Sequence, residues 1–481
     1  MLCLQGNWSK EGPDTLLGAP RSRRGGVDNE RGGMIVADPF KAYDVRGLYG
    51  KNVTDELAYQ VGRAFVAHTG ARRVVLGHDM RVSSPALARE FARGLSEAGA
   101  DVEDIGLAST DMLYFAVIDH DADGGIEVTA SHNPAQYNGF KVTRKHAIPL
   151  GLGSGLEAIE ERVRSNDLGP KADKPGTVTQ VNVLDDFIAF MHSFVDPSKL
   201  APLKVVVDVG NGMGGMIVER LFEGSPVHLV PLFFELDGNF PNHEANPLLE
   251  ENRRDLIAKV REVGADVGIG LDGDTDRAFF VDSDGSFCSG DFILGLLAQP
   301  VLRSRPGALI TYDVRCSNYV PDTVKRLGGR SLVGKVGHAY AKNLMREHQA
   351  AFGGEVSGHY YFKHRGAYFD SGNLTSLLLL QTLTEMKASL KEAMVETKDY
   401  HVSGEINSRV QDADEVLDRI EKMFGPRGEL LKIDGVSVVG DRWWLNVRKS
   451  NTEPLVRLNC EGPTKEAMEQ LRDEVLAVIR Q

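Results

Sequence analysis

The stretch RVVLGHDMR, residues Arg73–Arg81, joins a short apolar strand pattern to an Asp and to small or polar residues at the strand's end. The same pattern returns in KVVVDVGNG (Lys204–Gly212) and in ALITYDVRCSN (Ala308–Asn318). Each copy leads into a helical pattern, such as SSPALAREFARGLSEAG after the first and GGMIVERLFEG after the second. Three related strand–helix units predict three α/β domains with mixed or parallel sheets.

The C-terminal part of the chain has a different pattern. In DRWWLNVRKSNTEPLVRLNCEG two alternating strands flank a polar turn, and TKEAMEQLRDEVLAVIRQ has the period of an amphipathic closing helix. This predicts a smaller α+β domain. We therefore expect a disordered extension at 1–33, α/β domains at 34–175, 176–286 and 287–397, and an α+β domain at 398–481.

The first 33 residues are rich in Gly and Arg and contain no apolar signal-peptide segment. Such a composition is typical of a disordered segment, either an upstream start or a leader outside the fold. Periodic sequence begins only at Met34.

Composition narrows the class of protein. The 481 residues include 55 Lys and Arg against 68 Asp and Glu, for a net charge of −13, which does not indicate a nucleic-acid or membrane partner. An anionic ligand would need a local cluster of basic side chains. The four cysteines form no CxxC pair, which argues against a zinc site or a disulfide framework and favours a reducing cytoplasm.

In GIGLDGDTDRAFFV three carboxylates, Asp272, Asp274 and Asp276, alternate after an apolar strand. Oxygen ligands in this number suit Mg²⁺ or Ca²⁺. An EF-hand would need Gly at Arg277 and Glu at Ser283, and a haloacid-dehalogenase-type phosphatase would need Thr or Val at Asp276. A solvated acidic turn stays open as an alternative, although Arg277, directly after the carboxylates, suits an anion that the metal also contacts.

The segment VVVDVGNGMGG satisfies G-x-G-x-x-G after a strand, with Glu235 or Asp237 near the distance expected of a ribose-binding acid. By itself it would indicate a nicotinamide-dependent oxidoreductase. The equivalent segments GHDMR and YDVRCS lack the glycines, so we favour a tight strand-to-helix turn.

Two polar segments suit a sugar phosphate. In GGEVSGHYYF an extended backbone would direct Glu355, Ser357 and His359 to one side, toward sugar hydroxyls, although a satisfied polar edge is the common alternative. The hairpin turn VRKSNTEPLVR offers donors for a phosphate, and ordinary turn chemistry is its alternative. The donors of this turn are Arg448, Ser450, Asn451 and Thr452.

VTASHNPAQYNGFKV (Val128–Val142) places Ser131 in a polar turn after a strand, with Lys141 ten positions later. The serine could cap the next element. Its surroundings are not the G-x-S-x-G elbow of α/β-hydrolases, so acyl chemistry is not assigned to it. A hydroxyl nucleophile, a carboxylate metal loop, a polyol-binding loop and an anion cradle, one in each domain, together indicate phosphoryl transfer on a phosphosugar.

From about Ile35 to its end the chain resembles the α-D-phosphohexomutase superfamily, in particular its phosphomannomutase/phosphoglucomutase group. The resemblance rests on KAYDVRG, TASHNP, GFK, DGDTDR, KVGHAYAK, GEVSGH and RKSNTEP, which occur in the family's order. It implies four domains around a central cleft. It also implies that Ser131 carries a phosphate that completes the coordination of Mg²⁺ by Asp272, Asp274 and Asp276.

The implied reaction is reversible phosphoryl transfer between C1 and C6 of a hexose phosphate, with a hexose 1,6-bisphosphate as intermediate and activator. Mannose phosphate is the expected substrate, and glucose phosphate a second one. Glucosamine or N-acetylglucosamine phosphate is the alternative, a nicotinamide-dependent oxidoreductase a distant one, and a sugar-phosphate sensor the non-enzymatic one. Val356 leaves the preference at C2 open. Besides the phosphosugar we expect no nucleic-acid or membrane partner, and a monomer or weak homo-oligomer.

The resemblance also implies a role for each matched residue. Lys141 and His132 are candidates for acid–base help, and Arg46, Tyr43 and Arg277 for contact with the transferring phosphate or the substrate. Sugar contacts are expected from Lys335, His338, Glu355, Ser357 and His359, and phosphate contacts from Arg448, Ser450, Asn451 and Thr452. Thr275 departs from the family, where glycine is frequent, so the loop needs either a negative φ there or some strain.

Overall fold

The computed structural model describes residues 38–450 and 455–481. The predicted disordered extension at 1–33 lies outside them, as do Asn451 and Thr452. The first sheet has seven strands in the order β1-β5-β4-β2-β3-β7, with β6 paired to β5. Its elements are β1 (Val45–Leu48), α1 (Asp55–Thr69), β2 (Arg73–His78), α2 (Ser84–Glu97), β3 (Asp101–Leu107), α3 (Thr110–Asp119), β4 (Gly124–Val128), β5 (Tyr137–Arg144), β6 (Ile148–Pro149), α4 (Leu156–Ser165) and β7 (Val178–Gln180).

The second sheet has five strands in the order β12-β11-β10-β8-β9. Its elements are α5 (Leu184–Phe194), β8 (Lys204–Asp208), α6 (Gly214–Leu221), β9 (His228–Leu232), α7 (Arg254–Val263), β10 (Val267–Leu271), β11 (Ala278–Asp282) and β12 (Phe287–Cys288).

The third sheet has five strands in the order β14-β13-β15-β16-β17. Its elements are α8 (Gly290–Ser304), β13 (Leu309–Asp313), α9 (Tyr319–Arg326), β14 (Arg330–Gly334), α10 (His338–His348), β15 (Phe352–Gly354), β16 (Tyr360–His364), β17 (Ala367–Asp370), α11 (Gly372–Met386) and α12 (Leu390–Ala393).

The fourth sheet is antiparallel and has six strands, with β18-β23-β22-β21-β20 in order and β19 paired to β23. Its elements are β18 (His401–Val402), β19 (Ile406–Arg409), α13 (Ala413–Phe424), β20 (Glu429–Leu431), β21 (Val436–Gly440), β22 (Trp443–Lys449), β23 (Leu455–Gly462) and α14 (Lys465–Ile479). The predicted α+β unit, with its two strands around a polar turn and its closing helix, is confirmed.

The three segments that carry the repeated sequence pattern form β2, β8 and β13, which are the equivalent central strands of the first three sheets. Each has one parallel neighbour on either side: β3 and β4, β9 and β10, β14 and β15. Each sheet then continues with an antiparallel strand, β5, β11 or β16. The expectation of three related α/β units with mixed sheets is confirmed.

This topology fixes where the functional turns lie. In each sheet one sharp turn joins the last parallel strand to its antiparallel partner, at residues 129–136, 272–277 and 355–359. Ser131, the three aspartates and Glu355 therefore occupy equivalent places in three related sheets.

Two strands lie just past the predicted domain limits. β7, after position 175, pairs with β3 of the first sheet, and β12, after position 286, pairs with β11 of the second. Both are edge strands, of three and two residues, and so are too short to show an alternating pattern. The domain limits themselves stay predictions.

Helix α3 is the apolar link between the sheets. It is buried from Thr110 to Ile118 and belongs to one continuous core that also contains residues of the second and third sheets, such as Val207 and Phe369. Ser109 caps its N-terminus by accepting the Met112 N–H. Packing on this shared core thus fixes the first turn of α3 next to the second and third sheets.

Within the described part of the chain, every helix is too short or too polar to span a bilayer. The three described cysteines, Cys288, Cys316 and Cys460, are buried and unpaired. The cytoplasmic location stays a prediction.

The crossing of α1 and α2 depends on a close backbone contact. A Cβ added to Gly94 would lie 2.4 Å from the carbonyl oxygen of Tyr59. We expect Gly94→Val to lower the free energy of unfolding by about 1–3 kcal/mol, because the two helices must separate. Gly425→Val is the control, since an added Cβ there meets nothing within 4 Å. Equal losses in thermal or denaturant unfolding of the two variants would contradict this packing.

The contact between the third and fourth sheets includes a buried carboxyl group. Glu461 on β23 accepts the Asn318 N–H at 3.2 Å, and burial raises its pKa to about 7 from 4.5. A raised pKa means that the neutral acid favours the folded state, so this stabilisation is complete below about pH 4.5 and is lost as the pH rises through about 7.

Glu461→Gln stays neutral at every pH. We therefore expect its melting temperature to rise relative to wild type between about pH 5 and pH 8. Glu429→Gln, which changes an exposed carboxylate of the same sheet, is the control and should show no such trend. A difference between Glu461→Gln and wild type that does not vary with pH would exclude the proposed proton linkage.

Candidate active site

Ser131 lies at the centre of the first turn and is 1% exposed. Its backbone is left-handed, with φ of 50°, which is costly for a residue that is not glycine. Its hydroxyl donates to Asp272 Oδ2 at 2.9 Å, and it lies 3.1 Å from His132 Nδ1 and 3.2 Å from Arg277 Nη2. One hydroxyl thus meets an acid, an imidazole and a guanidinium.

The second turn brings Asp272, Asp274 and Asp276 together, and all three are buried. Each offers one carboxylate oxygen, and these oxygens lie within 4.8 Å of one another. Burial and the two neighbouring carboxylates raise the pKa of Asp272 well above its usual range. The Oδ1 atoms of Asp274 and Asp276 have no hydrogen-bond partner among the described residues. Such a cluster of oxygen ligands can hold a divalent cation.

Both neighbouring sheets clamp this turn. Asp274 accepts the Thr110 N–H at 3.1 Å and the Thr110 hydroxyl at 2.5 Å, both from the start of α3. The Thr275 carbonyl accepts the Gly372 N–H at 2.8 Å, from the start of α11. Gly273 lies against Ser131, where an added Cβ would be 2.5 Å from the Ser131 carbonyl oxygen. The serine and the carboxylates are therefore held by backbone contacts.

Thr275 has a φ of 58°. Of the two conformations expected for this loop, a negative φ or a strained positive φ, the structure has the strained one. Its hydroxyl accepts from Asn373 Nδ2 at 2.9 Å and donates to Asp111 Oδ1 at 3.3 Å. Asp111 also accepts from Ser371 Oγ and Asn373 Nδ2. These buried hydrogen bonds help to stabilise the strained residue.

Lys141 contacts the aspartates and not the serine. Its ammonium donates to Asp274 Oδ2 at 2.6 Å, to Asp276 Oδ2 at 2.5 Å and to the Thr110 hydroxyl at 3.1 Å. Burial alone would lower the pKa of Lys141, but the two carboxylates raise it above its usual value. The lysine therefore stays charged and neutralises part of the acidic cluster.

His132, the neighbour of Ser131, has the opposite character. Burial, and then the charges of Arg277 and Arg46, hold the pKa of His132 well below its usual range. Its imidazole is therefore neutral at neutral pH. Arg46 donates to Asn133 Oδ1 at 2.8 Å on the same turn.

The third turn corrects one expectation. We expected an extended backbone from Glu355 to His359, but the chain turns sharply, with the Glu355 N–H donating to the His359 carbonyl at 2.9 Å. The turn still brings Ser357 Oγ within 2.8 Å of Glu355 Oε2. His359 Nδ1 lies 3.0 Å from Asp370 Oδ2. The expectation failed because Gly358, with φ of 85°, permits a turn that alternation of polar residues does not reveal.

Tyr43 and His338 lie beside this turn. The Tyr43 hydroxyl donates to the Val336 carbonyl at 3.0 Å, and its ring packs edge-on against His338 at 5.9 Å. Lys335 is exposed, with Nζ 5.6 Å from the centre of the Tyr340 ring. Unlike the other two, Lys335 does not line the cleft.

The fourth sheet contributes a pair of arginines. Arg448 on β22 and Arg457 on β23 are cross-strand partners, and both donate to Glu405, at 2.6 and 2.9 Å. Arg457 Nη2 also lies 3.4 Å from Ser450 Oγ. The predicted phosphate-binding turn thus begins at a paired guanidinium cluster, while Asn451 and Thr452 fall outside the described residues.

These groups surround one cleft of about 440 Å³ that all four units line. Its predicted lining residues are Ser131, Lys141, His132, Arg46, Arg277, Asp276, Tyr43, His338, Glu355, Ser357, His359 and Arg448. Asp272 and Asp274 lie behind this surface. Seven Lys and Arg line the cleft against three acidic residues, so it is locally basic although the chain carries a net charge of −13. Such a cleft attracts anions.

Sequence reasoning missed four basic residues of this region: Lys41, Arg81, Arg315 and Arg457. Arg315 pairs with Asp313 at 2.8 Å, lies 3.7 Å from Glu355 and lines the cleft. The shared D-x-R of HDMR and YDVR was an available signal for Arg81 and Arg315. The glycine-rich GNGMGG forms a tight turn against the acidic loop, with the Met213 N–H donating to the Gly273 carbonyl at 2.9 Å.

Family models describe the same four units in order. Phosphoglucomutase/phosphomannomutase alpha/beta/alpha domains I, II and III match residues 37–169, 185–285 and 289–400, and the C-terminal domain matches 405–478.

Individual proteins agree with the family models. A phosphomannomutase from Escherichia coli is 40% identical over 451 residues, covering 92% of this chain and 99% of that protein. A protein named phosphohexose mutases from Xanthomonas campestris pv. campestris (strain B100) is 41% identical over 443 residues, covering 91% and 98%. The crystal structure of a phosphoglucomutase/phosphomannomutase family protein from Burkholderia thailandensis has a TM-score of 0.85 at 34% identity, covering 92% and 97%. The chain belongs to the phosphoglucomutase/phosphomannomutase family.

Proposed function

We propose that this protein moves a phosphoryl group reversibly between C1 and C6 of a hexose phosphate, with Ser131 as the phosphoryl carrier. The observation that carries the proposal is the environment of the Ser131 hydroxyl. It lies within 3.2 Å of a carboxylate, an imidazole and a guanidinium at the wall of a basic cleft. A simple binding protein needs no such hydroxyl.

The transfer exchanges one P–O bond for another. The bond from phosphorus to Ser131 Oγ breaks while a bond to a free sugar hydroxyl forms, which yields a hexose 1,6-bisphosphate. Arg277 Nη2, 3.2 Å from Ser131 Oγ, is placed to stabilise negative charge on the serine oxygen and the phosphoryl group. Reverse transfer from the other end of the sugar restores the phosphoserine and releases the isomer.

The proton of the attacking hydroxyl needs an acceptor. The candidate is His132, whose Nδ1 lies 3.1 Å from Ser131 Oγ and also contacts Arg277 Nη2. Burial and the charges of Arg277 and Arg46 lower its pKa, so it would accept the proton only once a bound phosphate offsets these charges. Lys141 is held charged by two carboxylates, so in this state it acts as a cation and not as a base.

We assign a magnesium site to Asp272, Asp274, Asp276 and the phosphorylated Ser131. The carboxylates fit this assignment because they converge, are buried, and leave two oxygens without hydrogen-bond partners among the described residues. When bound, the ion would neutralise charge on the phosphoryl group and the serine oxygen.

We assign recognition of the sugar to the third turn. Glu355 and Ser357 present an acceptor and a hydroxyl to the cleft 2.8 Å from each other. Two hydroxyls of the sugar can be held there whether C1 or C6 of the sugar faces Ser131. The packed rings of Tyr43 and His338 form an aromatic surface beside Glu355 and Ser357.

Arg448 and Arg457 are proposed to hold the phosphate that is not being transferred. They now share Glu405, and a dianionic phosphate can take over these contacts in bidentate form. Because the arginines lie on a separate sheet, closure of the fourth unit would follow substrate binding. A single cradle then serves both orientations of the bisphosphate.

We rank mannose phosphate first among substrates, since the similar Escherichia coli protein is named a phosphomannomutase, and glucose phosphate second. Wild type should convert mannose 1-phosphate to mannose 6-phosphate with Mg²⁺ and a catalytic amount of hexose bisphosphate. Assays with glucose, glucosamine and N-acetylglucosamine phosphates define the preference. Activity on the amino sugars alone would contradict the ranking.

Ser131→Ala tests the carrier. We expect intact mass to show one phosphate on wild type only, and mutase activity to fall at least about 10⁴-fold in the variant because the covalent step is lost. His68→Ala, which changes an exposed residue of α1 that does not line the cleft, is the control and should keep full activity. Unchanged activity of Ser131→Ala would remove the serine from the mechanism.

Lys141→Met tests the charge balance of the acidic cluster. Without a divalent cation we expect a loss of about 3–5 kcal/mol in the free energy of unfolding, because the buried carboxylates of Asp274 and Asp276 lose their buried counter-ion. Added Mg²⁺ should raise the melting temperature of the variant more than that of wild type.

The control for this experiment is Lys145→Met, which removes a half-exposed lysine from an exposed ion pair with Asp121 and should change stability little. If Lys141→Met is as stable as Lys145→Met in the presence of a chelator, the proposed counter-ion role is wrong.

A further inference from the structure

Arg81 is completely buried behind the Ser131 turn and uses every N–H of its guanidinium. Nε pairs with Asp79 at 3.1 Å. Nη1 donates to the carbonyls of Pro134 and Tyr137 at 2.8 and 3.1 Å, and Nη2 donates to the carbonyls of Ser131 and Asn133 at 2.9 and 2.6 Å. One side chain therefore holds four carbonyls of one turn.

The most important of these carbonyls belongs to Ser131. The backbone at Ser131 is left-handed, its hydroxyl contacts Asp272 and its carbonyl contacts Arg81. Gly273 also packs against this carbonyl, and a side chain at position 273 would collide with the carbonyl oxygen. Arg81 thus satisfies a buried acceptor that would otherwise be left without a partner, and stabilises the strained conformation of the nucleophile.

The guanidinium is itself held on two sides. Asp79, which pairs with Arg81 Nε through Oδ2, accepts the Arg81 backbone N–H at 3.0 Å and the Ser84 hydroxyl at 2.5 Å through Oδ1. The Phe240 ring, from the second unit, lies 5.0 Å from the guanidinium carbon. Gly238 of the same segment packs directly against Arg81. Arg81 therefore fixes the serine turn at the contact between the first and second units.

The third unit contains the same arrangement at the equivalent place. Asp313 is the last residue of the central strand β13 and Arg315 follows it, whereas Asp79 and Arg81 directly follow β2. Asp313 Oδ2 accepts the Val356 N–H at 3.2 Å, and Arg315 Nη2 lies 3.4 Å from Ser357 Oγ. In two of the three repeats a D-x-R pair thus holds the turn that carries functional side chains. The second unit has Gly210 in place of the arginine.

We propose that Arg81 is a positioning residue for phosphoryl transfer, which sets the place of Ser131 Oγ relative to the acidic loop. This rests on the proposed function of Ser131. Lysine cannot replace it, because an ammonium has three donors and no planar fork to span four carbonyls. A shift of the serine by about 1 Å is enough to lower the rate of transfer about 100-fold.

The test compares Arg81→Lys with Arg63→Lys. Arg63 is also buried in the first unit and holds the Gly169 carbonyl and the Tyr59 hydroxyl, away from the cleft. Rates of Ser131 phosphorylation by a hexose 1,6-bisphosphate are followed by intact mass, together with kcat, KM and melting temperature. We expect Arg81→Lys to lose at least about 100-fold in phosphorylation rate and kcat, with KM within about threefold of wild type.

Asp79→Asn provides a second test should Arg81→Lys not fold. It leaves the arginine in place and weakens only its anchor, so a smaller loss of kcat in the same direction, about tenfold, is expected. Arg63→Lys should keep wild-type kcat even where its melting temperature falls.

Two results would overturn the inference. One is a normal phosphorylation rate in folded Arg81→Lys, or in Asp79→Asn where the former does not fold. The other is an equal loss of kcat in Arg63→Lys at matched stability, which would assign Arg81 a purely structural role. If wild type itself takes up no phosphate, the proposed function of Ser131 fails, and the inference fails with it.

Discussion

The hydrogen bond from the Ser131 hydroxyl to Asp272 is the contact on which the rest of the site depends. The two residues come from different sheets, and their loops touch through Gly273 and the Ser131 carbonyl. A contact this close leaves no room for a side chain between the two loops. The buried helix α3, whose first turn donates to Asp274, and the start of α11 hold the same loop from either side. The serine and the three aspartates are thus held by contacts among the three related sheets.

The same topology explains why unrelated side chains meet. Each of the first three sheets ends its parallel part with one sharp turn, and the three turns carry the nucleophile, the carboxylates and the sugar-binding pair. The fourth sheet differs in architecture and contributes arginines through an antiparallel hairpin. A fixed catalytic centre and a separate anion cradle suit a substrate that must present each of its ends in turn.

Much of this could be predicted from the sequence. The repeated strand pattern located the central strands β2, β8 and β13, and the assignment to phosphohexose mutases is confirmed by the family models and the relatives. The edge strands β7 and β12 were missed because strands of three and two residues are too short to show an alternating pattern. The turn at Glu355 was misjudged because a glycine with positive φ reverses a chain whose residue types suggest a strand. Arg81 was missed because four of its five guanidinium contacts are to backbone carbonyls, which leave no trace in residue types; only its spacing from Asp79 was visible in the sequence. Lys141 lines the same cleft as Ser131, as expected of a residue near the phosphoserine, and its ammonium pairs with Asp274 and Asp276; its role in catalysis stays a prediction.

The central claim is that the phosphoryl group travels through Ser131. The most direct measurement starts from enzyme isolated with a radiolabelled phosphoryl group on Ser131, mixes it with unlabelled mannose 1-phosphate, and follows the label through the first turnover. We predict that the label leaves the protein and appears in sugar phosphate as fast as product forms. Product that accumulates while the label stays on the protein would contradict the claim.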